Sequence, residues 1–93
     1  MPDLTQDQLV ERLRGEISAV DEEIVAATNR RLKLVAELHA HKRAQGYEVL
    51  DPAREERVIQ HVIDSNAGPI SDAGLRELYQ LLLPLCTREA AQL

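Results

Sequence analysis

The stretch LRGEISAVDEEIVAATNRRLKLVAELHAHK, residues 13–42, carries the apolar repeat that decides the fold. We call this repeat the seam; its members are Leu13, Ile17, Val20, Ile24, Ala27, Arg31, Leu34 and Leu38. Steps of four and three residues are the a/d repeat of a helix that packs along its length against other helices. The sixth member, Arg31, places a guanidinium in this apolar series. Because a buried charge is costly unless an anion meets it, Arg31 predicts a bound anion.

Length and composition favour a small, intracellular, all-helical protein. The chain has 93 residues, predicted to form a single domain over 1–93, and its only aromatic residues are two tyrosines, so the core must be aliphatic. A net charge of -5 argues against a nucleic-acid binder. No apolar run approaches the ~20 residues of a membrane span, and the N-terminus does not resemble a signal peptide. The single cysteine, Cys86, excludes an internal disulfide, and a cytoplasmic location is expected.

The first predicted helix is much longer than the rest. Residues 1–7 are expected to be frayed, Thr5 and Gln8 have the spacing of a capping box, and Gly46 stands where a helix should end near Gln45. Such a helix would be ~55 Å long at about 1.5 Å per residue. The remaining residues are too few to cover it, so the pattern predicts a partner chain.

Two shorter helices follow. Asp51 and Pro52 are typical of an N-cap and first helical position, and predict a second helix from Pro52 to about Ser65. Residues 66–69 break the pattern, and Ser71 is the expected N-cap of a third helix, in which Pro84 should introduce a kink or loosen the last turns. The apolar stripes are predicted as Val58, Ile59, Val62 and Ile63 in the second helix, and Leu75, Leu78, Tyr79, Leu82 and Cys86 in the third.

Four cations fall on or beside apolar faces. Lys42 follows Arg31 by three helical turns, which predicts one shared face with ~20° of drift and about 16 Å between the backbones. Arg14 precedes Arg31 by ~25 Å of straight helix, so it can join the same small ligand only from a second copy of the chain. Arg54, with Glu55, lies one turn before the stripe of the second helix. A small dicarboxylate would satisfy such a set of cations.

The alternative is that these cations only form ion pairs at solvated bundle edges. Their partners would then be Glu16, Glu37, Glu55 or other carboxylates. No metal or cofactor is expected. His39 and His41 are ~200° apart on a helix and with His61 make a poor metal site, while Cys86 has no nearby base and is expected to pack rather than react.

These residues resemble the all-helical chorismate mutase family. The resemblance rests on LRGEISAVD at 13–21, NRR at 29–31, HK at 41–42 and DPARE at 51–55, and covers roughly residues 8–90. It implies an intertwined homodimer of three-helix chains. The implied reaction is the Claisen rearrangement of chorismate to prephenate, on the shikimate route to phenylalanine and tyrosine, which needs neither proton transfer nor a covalent intermediate.

The resemblance also implies roles for single residues. Arg31 and the partner's Arg14 would bind the substrate carboxylates, and Lys42 would reach a carboxylate and the breaking ether oxygen. Glu55, with the backbone near Asp51, would hold the ring hydroxyl, and Arg54 would line the site.

The third helix departs from the family pattern. Cys86 stands at a small polar position, and Ala90 stands where the family usually has a Gln or Glu aimed at the ether oxygen. A kink at Pro84 could bring Arg88 or Glu89 into register; otherwise the intrinsic activity should be low. Some short actinobacterial-type members are activated by docking onto a deoxy-arabino-heptulosonate phosphate synthase. The resemblance therefore allows such a partner for this chain, and the sequence does not decide whether it has one.

Two rival functions remain open. One is a sister activity on the same scaffold, either isochorismate pyruvate lyase or a mutase of 4-amino-4-deoxychorismate. The other is a non-catalytic helical module for dimerisation or regulation, in which Arg31 is merely salt-bridged.

Overall fold

The computed structural model describes residues 5–93, which form three helices and no strand. The helices are α1 (Gln6–Ala44), α2 (Pro52–Asp64) and α3 (Asp72–Ala90). The predicted all-α class, with one long helix and two short ones, is confirmed. The chain divides into two compact units, Met1–Arg31 and Leu32–Leu93, and we describe each by itself. The single-domain organisation stays a prediction.

The ends of α1 follow from local sequence. The backbone N–H of Gln8 donates to Oγ1 of Thr5 at 3.1 Å, and the N–H of Thr5 donates back to Oε1 of Gln8 at 2.9 Å, which is the predicted capping box. The helix therefore includes Gln6 and Asp7, which we expected to be frayed; residues 1–4 of that segment lie outside the described residues.

Glycine terminates α1 as predicted. Gly46 has φ +74°, its N–H donates to the carbonyl of Arg43, and the N–H of Tyr47 donates to the carbonyl of Lys42 at 2.8 Å. This pair of bonds is a Schellman motif, in which a left-handed residue closes the last helical turn. The loop that follows leads directly to the cap of α2.

The core of the unit Leu32–Leu93 lies where α2 packs on α3. Ile59 of α2 is buried, and Val58, Val62 and Ile63 are half-buried, so the predicted stripe of α2 is confirmed. Full burial of such a side chain contributes about 1.5–3 kcal/mol. An ion pair also links the two helices: Nη1 of Arg76 in α3 donates to both carboxylate oxygens of Glu56 in α2, at 2.9 and 3.1 Å.

The stripe of α3 differs from the prediction. Leu78 is exposed, whereas Leu83, Cys86 and Ala90 are buried. These three residues are spaced by three and four, so the buried face is continuous, and the sequence pattern alone had assigned Leu78 to it in place of Leu83.

Pro84 does not loosen the last turns of α3, which stay helical to Ala90. Proline removes one backbone donor. Because Pro84 and Gln80 are both exposed, the carbonyl of Gln80 that loses its helical partner can bond water instead. The helix then keeps its register to the end, at Ala90.

No residue of α1 is buried. In the unit Met1–Arg31 the apolar side chains of the seam are exposed, from Leu13 at 43% to Ile17 at 60%, whereas Arg31 is half-buried; in the second unit Leu34 is 65% exposed. The seam was predicted to pack along its whole length; within the described residues of one chain its apolar side chains are uncovered.

Candidate active site

The first turn of α2 holds three of the predicted site residues together. Asp51 is the N-cap, and its Oδ1 accepts the backbone N–H of Arg54 at 3.0 Å, while its carbonyl accepts the N–H of Glu55 at 3.1 Å. Pro52 fits the first helical position because its missing N–H would have had no helical partner there. The side chains of Arg54 and Glu55 are exposed, one turn before the half-buried Val58.

The Asp51 carboxylate also has a side-chain partner. Its Oδ2 lies 3.7 Å from Nη2 of Arg57, which reaches back from the second turn of α2. Sequence reasoning did not single out Arg57. Arg57 follows the N-cap by six residues, whereas side-chain pairs on a helix form between residues three or four apart, so spacing does not predict this ion pair.

Lys42 lies on a half-buried stripe of α1 that we did not predict. The stripe, within the unit Leu32–Leu93, consists of Leu32, Val35, Ala36, His39 and Lys42. The apolar residues at 32, 35 and 36 are the sequence signal for this stripe. They lie next to the longer a/d repeat of the seam, which alone was used to assign the packing face of α1. A lysine in such a place can keep its stem shielded and its ammonium free.

His39 stands one turn before Lys42 on this stripe. Burial, together with the charges of Lys42 and Arg43, lowers the pKa of His39 below its ordinary value of about 6.5. The neutral imidazole is therefore favoured in the folded chain at neutral pH.

The two arginines of the unit Met1–Arg31 that were predicted to bind substrate both lie on α1. Arg14 is exposed and Arg31 is half-buried. Among residues 5–93, the ion pairs are Arg12–Glu16, Arg57–Asp51 and Arg76–Glu56. Within that described part, the predicted substrate cations Arg14, Arg31, Lys42 and Arg54 thus have no carboxylate partner, and Glu16, one of the alternative partners, pairs with Arg12 instead.

The C-terminal part of α3 is apolar where the resemblance expects a polar contact. Cys86 is 2% exposed and Ala90 is 5% exposed, one helical turn apart on the buried face. Arg88 and Glu89, the two charged neighbours, are exposed. Since α3 keeps its register through Pro84, neither charged residue is shifted onto the buried face.

Two kinds of feature are absent from the described residues. No three side chains of His, Cys, Asp or Glu cluster there closely enough to hold a metal ion. None of the helices within 5–93 has a segment that is both long and apolar enough to span a bilayer.

These features define an all-helical protein whose described residues carry unpaired cations on a long helix and at a capped helix start. The family model of chorismate mutase type II matches residues 13–90. The chain belongs to the chorismate mutase type II family, and chorismate mutases are isomerases. The resemblance inferred from the sequence is thereby confirmed.

Solved structures agree with the family match. Form II of the chorismate mutase of Thermus thermophilus superposes with a TM-score of 0.83 and 27% identity, covering 88% of this chain and 93% of that one. Form I of the same organism's enzyme gives a TM-score of 0.80 and 28% identity, covering 83% of this chain and 96% of that one. No curated protein sequence gives a significant match.

Proposed function

We propose that this protein works as a homodimeric chorismate mutase in the cytoplasm, converting chorismate to prephenate for phenylalanine and tyrosine synthesis. The observation that carries the proposal is the family match over 13–90, together with four predicted substrate cations, none of which has a carboxylate partner within residues 5–93. Chorismate is a dicarboxylate, and arginine pairs with carboxylates through two parallel hydrogen bonds.

In the proposed site, cations bind both carboxylates of the substrate. Arg31 and the partner's Arg14 take the carboxylates, and Lys42 takes a carboxylate and the ether oxygen. The rearrangement is unimolecular and pericyclic, so no side chain must act as acid, base or nucleophile. Catalysis comes from holding the reactive conformer and from stabilising the negative charge that develops on the ether oxygen.

The start of α2 is proposed to recognise the ring. Glu55 and the backbone near Asp51 hold the hydroxyl group, and Arg54 lines the site. The cap supports this role because it orients the first turn, with the backbone N–H of Arg54 bonded to Asp51. Cys86 and Ala90, which are buried in the single chain, would form the apolar wall behind the site from α3.

Dimerisation is proposed because of the exposed seam. A row of apolar side chains more than 40% exposed is unfavourable in water, and a second copy of the same helix would cover it. A site that uses both Arg14 and Arg31 also requires the partner, because these residues of one chain are about 25 Å apart along a straight helix.

The direct test is to follow chorismate consumption and prephenate formation by purified protein. Turnover that survives dialysis against a chelator, with no added cofactor, is expected. Isochorismate and 4-amino-4-deoxychorismate, offered in parallel, identify a sister activity if either is consumed faster. A transition-state analogue should raise the melting temperature of a chorismate mutase by linkage; no turnover and no shift would favour the non-catalytic module.

The dimer has its own test. Sedimentation should give the mass of two chains for the wild type. Ile17→Glu puts a carboxylate into the seam and should give single chains, whereas Ser18→Glu places the same residue beside it on α1 and should leave the dimer intact. Equal masses for the two variants would contradict the proposed interface.

A partner synthase is tested by repeating the activity assay with a deoxy-arabino-heptulosonate phosphate synthase added. A large increase in kcat would support the docking that the resemblance leaves open. An unchanged kcat would indicate that the chain acts alone.

A further inference from the structure

The two oxygens of the Asp51 carboxylate have different partners. Oδ1 caps α2 by accepting the N–H of Arg54 at 3.0 Å, and Oδ2 faces the guanidinium of Arg57 at 3.7 Å. Neither side chain is buried, with Asp51 44% and Arg57 61% exposed. Each carboxylate oxygen therefore has its own partner at the position where the chain enters α2.

This arrangement matters if the proposed function is right, on which the inference rests. The proposed substrate carries two negative charges, yet the first turn of α2 presents the carboxylates of Asp51 and Glu55 beside Arg54. Like charges repel a bound anion unless a cation offsets them. Helix capping satisfies one oxygen of Asp51 but leaves its full negative charge.

We propose that Arg57 is a positioning residue that offsets the charge of Asp51 and keeps its carboxylate turned toward the helix start. The substrate then meets the cation of Arg54 and the backbone of the cap, rather than an uncompensated carboxylate. Arg57 acts through Asp51 and does not touch the substrate.

The other ion pair of α2 supplies a matched control. Arg76 contacts Glu56 at 2.9 Å, a shorter distance than that between Arg57 and Asp51. Replacing either arginine by glutamine removes one positive charge and breaks one exposed ion pair. Only Arg57→Gln, however, releases a carboxylate at the proposed site.

The test compares the kinetics of Arg57→Gln, Arg57→Lys and Arg76→Gln at low ionic strength. For Arg57→Gln we expect KM for chorismate to rise by roughly two- to fivefold, the range of an exposed ion pair, with kcat unchanged. Arg57→Lys should recover most of the wild-type KM, and Arg76→Gln should leave it unchanged. The rise should shrink in high salt because salt screens exposed charges.

A double-mutant cycle isolates the role of Asp51. In Asp51→Asn the charge is gone but a good N-cap remains, so adding Arg57→Gln should then have no effect on KM. An undiminished effect in that background, or equal KM values for Arg57→Gln and Arg76→Gln, would overturn the inference.

A binding experiment separates this inference from the proposed function. Calorimetric titration with a dicarboxylate transition-state analogue reads anion affinity without turnover, and Arg57→Gln should weaken it while Arg76→Gln does not. Equal affinities would refute the role of Arg57 even in an active enzyme. Absence of chorismate turnover with a selective loss of affinity would refute the proposed function instead.

Discussion

The carboxylate of Asp51 accepts the backbone N–H of Arg54 at 3.0 Å, so the N-cap of α2 is bonded to the backbone of an arginine that is predicted to line the substrate site. Stability and recognition are linked at this position. Loss of the cap would fray the turn that carries Arg54 and Glu55, since the first backbone donors of a helix have no other partner in the helix.

Asp51→Ala tests this link. Removing an N-cap costs about 1 kcal/mol of unfolding free energy, and we expect KM for chorismate to rise as the first turn frays. Asp51→Asn keeps a capping oxygen and should retain most of the stability. Urea denaturation and steady-state kinetics measure the two effects; equal losses of stability in both variants would contradict a capping role.

Lys42→Ala and Arg31→Ala should each abolish most turnover without unfolding the protein. We expect kcat/KM to fall by about 100-fold or more, because Lys42→Ala removes stabilisation of the charge that develops on the ether oxygen and Arg31→Ala removes a contact that holds the reactive conformer. Lys33→Ala and Arg30→Ala are matched controls, since both replace exposed cations on α1. Circular dichroism should be unchanged, and full activity in Lys42→Ala or Arg31→Ala would show that the site is elsewhere.

Mixing Arg14→Ala with Arg31→Ala should restore activity that neither variant has alone. In a two-fold dimer with one arginine from each chain, a mixed dimer contains one intact site. Random exchange after joint refolding should therefore recover roughly one quarter of the wild-type activity per chain. No recovery, with mixed dimers verified by mass spectrometry, would exclude Arg14 of the partner subunit from the site.

Ala90→Gln should raise kcat if the missing polar contact limits the rate. A well-placed donor near the ether oxygen predicts a gain of about tenfold, while overpacking a site that is 5% exposed costs about 1–3 kcal/mol of stability. Ala91→Gln is the control on the exposed cap of α3. A stable Ala90→Gln variant without a gain would mean that the ether oxygen is already served by another residue.

Acid should destabilise the protein in part through His39. Its pKa is lowered in the folded state by burial and by Lys42 and Arg43, so the unfolded chain takes up the proton first as the pH falls. Stability from neutral His39 is complete above the ordinary pKa of about 6.5 and is lost as the pH drops through the folded value. His39→Gln should flatten the decline of melting temperature between neutral and mildly acidic pH.

The exposed His41 provides the control for that experiment. His41→Gln removes an exposed histidine from the same helix, so it measures how the loss of any histidine from α1 changes the pH dependence of the melting temperature. If the two variants show the same dependence of melting temperature on pH, His39 is not responsible for it.

Local sequence determined where the helices begin and end. Thr5 with Gln8, Gly46, Asp51 with Pro52, and Ser71 all act within a few residues of the backbone groups that they satisfy. Such bonds depend little on the rest of the fold, which is why they could be predicted. Helical spacing alone relates Arg14, Arg31 and Lys42 along one helix, and their part in a site stays a prediction.

Tertiary structure decided which of several apolar faces is covered. Leu78 and Leu83 are equally apolar in the sequence, yet only Leu83 is buried, because α3 turns toward α2 the face that also carries Cys86 and Ala90. Likewise, spacing could not predict which side chain pairs with Asp51. Arg57 is six residues away, and only the conformation of its long side chain in the folded protein brings its guanidinium to the carboxylate. Sequence periodicity gives the faces of a helix, whereas the choice among them depends on the neighbours that the folded chain supplies.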